Sequence, residues 1–313
     1  MTWRILISAP YFLPVVEDYR SQLEAEGLEL VIADVRERLI EAELLTLVPG
    51  IHGAICGDDQ FSERVLHAAR HLKVISKWGT GIDSIDTSAA ARLGILVYNT
   101  PDAFTDCVAE STLGYILNFA RRLFMMDQDM RRGKWNKRDA VTLRECTLGV
   151  IGVGNIGKAV ARRAVAFGMT VVGADPASVP QSFLDETGLK LVSLPELLKS
   201  SDFVTLHCDL NPTSYHLIDR RQLELMKSSA YLINTSRGPV VNERALVDAL
   251  RSGQIAGAAL DVFETEPLPS DSPLRELNNC LLAPHNANSG SAAKKRVHES
   301  TVQNLLAGLK KSR

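Results

Sequence analysis

Cysteine is scarce in this chain and scattered. Cys56, Cys107, Cys146, Cys208 and Cys280 include no C-x-x-C pair. That argues against a zinc site or a disulfide framework, and no metal is expected; it favours a reducing compartment. Neither sign of charge dominates: 35 Lys and Arg against 37 Asp and Glu give a net charge of −2. No electrostatic case follows for a nucleic-acid or membrane partner. No apolar run reaches membrane length, and the start lacks a signal peptide, because Thr2-Trp3-Arg4 opens straight into the strand-like Ile5-Leu6-Ile7. The expected location is cytoplasmic. What is present is the composition of an ordinary soluble protein, 45% apolar and 23% charged, and 313 residues are enough for two full cores.

The first hundred residues alternate between strand-like and helix-like patterns. Strands are expected at 3–9, 28–33, 52–56, 72–76 and 95–98. Helices are expected at 15–26, 41–47, 62–70 and 86–93, with Ser62 as an N-cap. This alternation implies a parallel sheet with helices on both faces. Asn99-Thr100-Pro101 interrupts it. A long helix is expected at 109–121, then a mixed basic arm, Arg131-Arg132-Gly133-Lys134-Trp135-Asn136-Lys137-Arg138. A second alternating series follows, with strands ending near Asn234, Val262 and Ala283 and helices at 195–200, 219–226 and 242–251. A final helix at 291–310 is expected to return to the first domain. The expected fold class is therefore α/β, with two doubly wound parallel-sheet domains and a cleft between them. Residues 1–101 plus 286–313 are expected to form one domain and residues 102–285 the other.

The second half is organised around one stretch. Leu148-Gly149-Val150-Ile151 is an apolar strand, Gly152-Val153-Gly154-Asn155-Ile156-Gly157 is G-x-G-x-x-G, a helix follows at 158–167, and Met169-Thr170-Val171-Val172-Gly173-Ala174 is a strand closing on Asp175. In this order, Gly152 permits the tight turn, Gly154 lets backbone approach a pyrophosphate, and Gly157 lets the helix pack on the strand. The helix N-terminus offers N–H groups to the phosphates. Asp175 stands 18 residues past Gly157, where a carboxylate can bond the adenosine ribose hydroxyls and repel a 2′-phosphate. The implied cofactor is NAD. The first half has no such glycine fingerprint.

Three strand-end segments look chemical: Asn234-Thr235-Ser236-Arg237-Gly238, Asp261-Val262-Phe263-Glu264-Thr265-Glu266-Pro267 and Pro284-His285. Ligands of parallel sheets gather at strand carboxyl ends. An arginine there can hold a carboxylate by two hydrogen bonds, and a histidine can carry a proton near neutral pH. Each has a plainer reading. Arg237 alone is a surface arginine, Glu264 competes equally with Glu266, and His52, His67, His71, His207, His216 and His298 compete with His285.

Together with Gly79-Thr80-Gly81-Ile82-Asp83, these segments make the chain resemble the D-isomer-specific 2-hydroxyacid dehydrogenase family, including its D-3-phosphoglycerate and glycerate dehydrogenases, over nearly its whole length. The resemblance implies an NAD-dependent oxidoreductase that interconverts a 2-oxo acid and its (R)-2-hydroxy acid, with residues 1–101 plus 286–313 as a flavodoxin-like substrate domain and residues 102–285 as a Rossmann NAD-binding domain. It assigns the acid/base role to His285, the pairing carboxylate to Glu266 and the substrate clamp to Arg237. It gives the substrate carboxylate to the backbone of Trp78-Gly79-Thr80-Gly81. Asn155 and Ile156 would meet the pyrophosphate, and Thr235, Ser236 and Asp261 the nicotinamide ribose and carboxamide. Asn288, Thr112 and His207 are further cofactor candidates. The helix at 109–121 and the basic arm imply a homodimer, in which Trp135 reads equally as interface packing or as reaching a partner's substrate pocket.

The sequence departs from relatives in three places. Relatives acting on phosphoglycerate carry basic residues in the loop after the third strand, where this chain has Cys56-Gly57-Asp58-Asp59-Gln60. The aspartates would either repel a phosphate or face water, with Lys77 the nearest cation. A small unphosphorylated 2-oxo acid is therefore ranked above phosphoglycerate, with D-3-phosphoglycerate dehydrogenase as the alternative. After His285, Asn286-Ala287-Asn288-Ser289 adds polar groups where relatives have an aliphatic residue and glycines. The chain stops soon after Lys310, so no appended regulatory domain is expected. A reading of another class is a non-catalytic, NAD(H)-sensing corepressor-like scaffold. The lack of long disordered tails favours an enzyme.

Overall fold

The computed structural model describes residues 2–312; Met1 and Arg313, the outer limits of the expected first domain, lie outside the described residues. Two compact units emerge, one running up to Phe104 and resuming at Gly290, the other spanning Thr105–Ser289.

The first unit is a five-stranded parallel sheet. Its strands are β1 (Trp3–Ile7), β2 (Leu28–Ile32), β3 (Gly53–Cys56), β4 (Val74–Lys77) and β5 (Leu96–Tyr98), in the order β2-β1-β3-β4-β5. This is the flavodoxin-like order. Helices α1 (Val16–Ala25), α2 (Glu41–Leu47), α3 (Glu63–Ala68) and α4 (Thr87–Arg92) connect the strands. β3 and β4 are buried along their whole length, as strands covered on both faces must be. Ser62 caps α3, its hydroxyl accepting from the Val65 N–H at 3.4 Å.

The second unit begins with α5 (Thr105–Arg121) and α6 (Leu123–Arg131). It then runs β6 (Thr147–Ile151), α7 (Asn155–Ala166), β7 (Thr170–Ala174), α8 (Gln181–Thr187), β8 (Lys190–Leu191), α9 (Leu194–Ser200), β9 (Phe203–Leu206), α10 (Arg220–Leu225), β10 (Tyr231–Asn234), α11 (Glu243–Ser252), β11 (Gly257–Leu260) and β12 (Cys280–Leu282). The parallel sheet has the order β12-β11-β10-β9-β6-β7-β8, a Rossmann order with one strand added. The order reverses at β6, which pairs with β7 on one side and β9 on the other. Ligands of open α/β sheets bind at such a switch point, and the glycine turn follows β6 there.

The last helix, α12 (Ser291–Lys311), belongs to the first unit. It buries Val297, Val302, Leu305 and Leu309, and the Ser76 hydroxyl on β4 donates to the Thr301 carbonyl at 2.8 Å.

Several elements differ from their sequence patterns. α7 starts at Asn155, inside the glycine motif, rather than at Lys158, because Gly154 is extended (φ −74°, ψ −157°) and serves as the N-cap. The arm expected from Arg131 begins at Arg132, since the additional helix α6 runs through Arg131. Arg122 separates it from α5 by adopting a left-handed conformation (φ 56°). α8 and β8 carry no strong apolar period and were not expected. β11 stops at Leu260, which leaves Asp261 and Val262 in the loop that follows. Among the described residues no helix is long and apolar enough to cross a membrane.

Candidate active site

The glycine turn has the geometry its spacing implies. Gly152 has φ +88°, and its N–H donates to the Ala174 carbonyl at 2.9 Å, tying the turn to the end of β7. A Cβ on Gly157 would lie 2.0 Å from the Gly152 carbonyl oxygen, so only glycine lets α7 come this close. A Cβ on Gly154 would meet nothing within 4 Å, which is open space over the turn. Gly154, the N-cap of α7, makes no side-chain cap to the first turn, which Asn155 and Ile156 open. The Asp175 carboxylate is fixed at the end of β7, accepting from the Val153 N–H at 2.6 Å and the Ala177 N–H at 2.7 Å. Each oxygen keeps capacity for a ribose hydroxyl.

Further round, the buried hydroxyls of Thr112 and Thr235 lie 3.2 Å apart, and Thr112 also donates to the Val108 carbonyl at 2.8 Å. The His207 ring meets the Thr205 hydroxyl at 3.0 Å through Nε2, while its Nδ1 is buried without a partner. Burial of the ring pushes its pKa down to about 3, so the imidazole is neutral. The buried Asn288 Oδ1 likewise has no partner. A buried polar atom without a bond is costly unless something supplies one. The open turn, the glycine at the helix start, the fixed acid and these two atoms fit a dinucleotide. Asn155 and Ile156 would meet the phosphates, Asp175 the adenosine ribose, and the His207 and Asn288 region the nicotinamide end.

The three reactive candidates stand on the loops after β10, β11 and β12. His285 Nδ1 lies 2.9 Å from Glu266 Oε2, and Glu266 Oε1 accepts from the Phe263 N–H at 2.9 Å. The carboxylate is thereby oriented by its own loop. His285 is left-handed (φ 48°), and its N–H donates to the Asp261 carbonyl at 2.7 Å. Non-glycine residues reach that region only when their surroundings hold them there, and such strain gathers at functional sites. Asp261 does the holding. It is 1% exposed, and its carboxylate accepts from the Asn286 N–H at 2.9 Å and the Ala287 N–H at 2.8 Å. Asp261 thus shapes the polar turn after His285.

Arg237 is half-buried, and its Nη1 donates to the Ser236 carbonyl at 3.0 Å. Asn234 fixes the loop around it. Its Nδ2 donates to the Arg237 carbonyl at 2.9 Å, and its Oδ1 accepts from the Ser236 N–H and hydroxyl at 3.0 and 2.8 Å. A Cβ on Gly238 would fall 1.9 Å from the Phe263 carbonyl group, so the arginine loop and the Glu266 loop touch backbone to backbone. Asn234 and Gly238 lie within the strand-end motif but carried no role in the sequence reading. Tyr115 was also missed. Its hydroxyl lies 3.5 Å from Asp261 Oδ1, and burial pushes its pKa up.

The competing glutamate and histidines have other partners. Glu264 Oε1 sits 2.8 Å from His216 Nε2 and accepts from the Glu243 N–H at 3.2 Å. His52, held near the Arg4 backbone, and His67 and His71 all belong to the first unit. His298 is buried there and accepts from Trp78 Nε1 at 3.0 Å.

The first unit's loops after β3 and β4 each need a correction. The Trp78 N–H donates to the Cys56 carbonyl at 2.9 Å, continuing the sheet ladder, so it is not a donor for a substrate. The backbone donors narrow to Gly79, Thr80 and Gly81, whose N–H groups make no hydrogen bond among the described residues. Gly79 has φ +119°, and its carbonyl accepts from the Thr100 N–H at 3.0 Å. Asp59 neither faces water nor is placed to repel a phosphate. It is fully buried, takes the Ser8 hydroxyl and the Leu39 N–H at 2.6 Å each, and has its pKa raised by burial. Lys77 is 4% exposed, with Nζ 3.1 Å from Asp58 Oδ1 and 3.0 Å from the Trp78 carbonyl.

Residues 113–287 match the model of the D-isomer specific 2-hydroxyacid dehydrogenase NAD-binding domain. The chain is 41% identical over 255 residues to a glyoxylate reductase of Korarchaeum cryptofilum, covering 80% of this chain and 76% of that one. It is 40% identical over 290 residues to a D-3-phosphoglycerate dehydrogenase of Methanocaldococcus jannaschii, covering 90% of this chain. It spans about half the length of that relative, 53%. Among solved structures, a D-lactate dehydrogenase from Aquifex aeolicus in complex with NAD and lactic acid superposes with a TM-score of 0.89 at 31% identity, over 98% of this chain and 95% of that one. The chain therefore belongs to the D-isomer specific 2-hydroxyacid dehydrogenase family, NAD-dependent oxidoreductases by class, and its second unit is the family's NAD-binding domain.

Proposed function

We propose that this protein reduces a small, unphosphorylated 2-oxo acid to its (R)-2-hydroxy acid, or catalyses the reverse. The 2.9 Å pairing of His285 with Glu266, on a loop in backbone contact with the Arg237 loop, carries this reading. Bound nicotinamide supplies or accepts the hydride at C2. With Nδ1 on the carboxylate, His285 gives its Nε2 proton to the 2-oxo oxygen on reduction and takes it back on oxidation. Glu266 orients the ring and stabilises its protonated form. Arg237 holds the substrate carboxylate through paired N–H groups and polarises the carbonyl. The turn Gly79-Thr80-Gly81, with its N–H groups, is proposed to bind a substrate carboxylate, as the family resemblance implies. Asp175 selects NAD over NADP by repelling a 2′-phosphate.

The substrate ranking rests on Lys77 and Asp58. The lysine ammonium is already matched by an aspartate, so its charge is not available to a phosphate at low cost. This supports an uncharged C3 substituent or none. The relative named glyoxylate reductase is in keeping with a small acid. A homodimer is proposed from the apolar residues left exposed on and after α6: Leu123, Phe124, Met130 and Trp135, the last 78% exposed. Light scattering should then give about twice the 34.3 kDa chain mass; the monomer mass would end that proposal.

The test is NADH oxidation against glyoxylate, pyruvate, hydroxypyruvate, longer 2-oxo acids and 3-phosphohydroxypyruvate, with NADPH in parallel. A small unphosphorylated acid should win, with NADH. Turnover of the phosphorylated acid alone would replace this reading with D-3-phosphoglycerate dehydrogenase, the name of the Methanocaldococcus relative.

A further inference from the structure

A second histidine–glutamate pair stands among the loops that carry the reactive residues. His216 lies in the connection between β9 and α10. Its ring meets Glu264 at 2.8 Å, and its backbone N–H donates to the Pro239 carbonyl at 2.8 Å. Pro239 is two residues past Arg237, and Glu264 is two residues before Glu266. One residue thus holds the clamp loop by its backbone and the acid loop by its ring. Like His285, it is left-handed, with φ 49°.

The surroundings reinforce the clasp. The Glu264 N–H donates to Glu243 Oε1 at 2.5 Å, and the Glu243 N–H donates back to Glu264 Oε1 at 3.2 Å. The acid loop is thereby tied to the first turn of α11. Burial raises the pKa of Glu243, and the nearby carboxylates of Glu264 and Glu266 push the same way. Glu264 therefore stands close to two other carboxyl groups, and His216 is its ring partner. The Ile218 N–H and the Asn242 N–H continue the joint, donating to the Val240 and Ile218 carbonyls at 3.0 and 2.9 Å.

We propose that His216 is a positioning residue for the reaction. Through Pro239 and Glu264 it fixes the separation of Arg237 from Glu266, and hence the direction in which His285 faces a clamped substrate. Without its ring, Glu264 loses a partner among like charges, and the loop that orients Glu266 loosens. Small misplacements of this kind are costly in an oriented reaction. The inference rests on the Arg237, Glu266 and His285 reading given above.

The experiment uses the full-length protein with NADH and the 2-oxo acid it turns over best. In His216→Asn, asparagine tolerates the left-handed backbone but is too short to reach Glu264. We expect kcat to fall about tenfold and the KM for the 2-oxo acid to rise several-fold, with the Kd for NADH unchanged. Glu264→Gln keeps a hydrogen-bonding amide and should stay within about threefold of wild type. Glu264→Ala should reproduce His216→Asn, and the double variant should be no worse than either, because both remove one joint. The proposal is overturned if His216→Asn is within twofold of wild type in kcat and KM. It is equally overturned if the two losses multiply, or if NADH affinity falls in step with activity. Failure of the underlying reading looks different: the wild-type protein would then turn over no 2-oxo acid, or His285→Gln would retain full activity.

Discussion

The two histidine–glutamate pairs of the second unit are near copies in their local geometry. His285 meets Glu266 at 2.9 Å, His216 meets Glu264 at 2.8 Å, and both histidines are left-handed, at φ 48° and 49°. A short contact and a strained backbone therefore do not distinguish the reactive pair. Location does. His285 follows β12, on a turn whose N–H groups are gathered by the buried Asp261, at the carboxyl edge of the sheet. His216 faces a glutamate that is itself clasped to a helix start, and its N–H is committed to the neighbouring loop. On the proposed function, one pair presents a proton and the other holds the loops that aim it.

The largest effect should come from a change that strikes both pairs. Gly238→Ala places a Cβ 1.9 Å from the Phe263 carbonyl, between the Arg237 loop and the loop that carries both glutamates. Backbone must move, at a cost on the order of 1–3 kcal/mol or more. We expect kcat/KM to fall at least about 100-fold with a lowered Tm; wild-type kinetics would mean the loop contact has no bearing on the reaction. The next test separates the pairs. Glu266→Gln should lower kcat by about 100-fold or more and alter the pH profile of kcat/KM, whereas Glu264→Gln leaves that profile in place. Equal losses in the two variants would erase the distinction.

A third histidine sharpens the comparison because its partner is not a carboxylate. His298 accepts the Trp78 Nε1–H at 3.0 Å, and burial, aided by Lys294, lowers its pKa while Asp18 opposes weakly. The folded state thus binds the proton less readily than the unfolded chain. Stability from this group is complete above the unfolded value of about 6.5 and is lost as pH falls below it. Tm should drop between pH 7.5 and 5.5. The drop should be smaller in His298→Gln, where the amide oxygen can accept the same bond without titrating. Identical slopes would remove His298 from the account. The smallest effect belongs to a site remote from all three histidines. Ser62→Ala removes the cap of α3 and should cost about 1 kcal/mol, read as a modest Tm shift with unchanged kinetics.

Much of this was legible in the sequence because the responsible residues are close in the chain. The glycine turn, its helix and Asp175 lie within one strand–helix–strand unit, and β/α alternation alone implies parallel sheets. The Arg237, Glu266 and His285 assignment needed the family's order of motifs, because spacing does not separate Glu264 from Glu266. Other features depend on contacts distant in sequence. Asp59 looked like a loop carboxylate, yet Ser8, 51 residues away, and Leu39 bury it. Trp78 looked like part of a binding turn, but the register of β3 and β4 gives its N–H to Cys56. The role of Gly238 depends on a backbone 25 residues on, which no local pattern records. α6 went unread because its apolar side chains face outward.

The central claim is that His285, oriented by Glu266, moves the proton. Its most direct test is His285→Gln, assayed for steady-state NADH oxidation with the preferred 2-oxo acid alongside an NADH fluorescence titration. The account predicts a loss in kcat of roughly 100-fold to 10,000-fold with the Kd for NADH unchanged. Retained turnover with the same NADH affinity would contradict it.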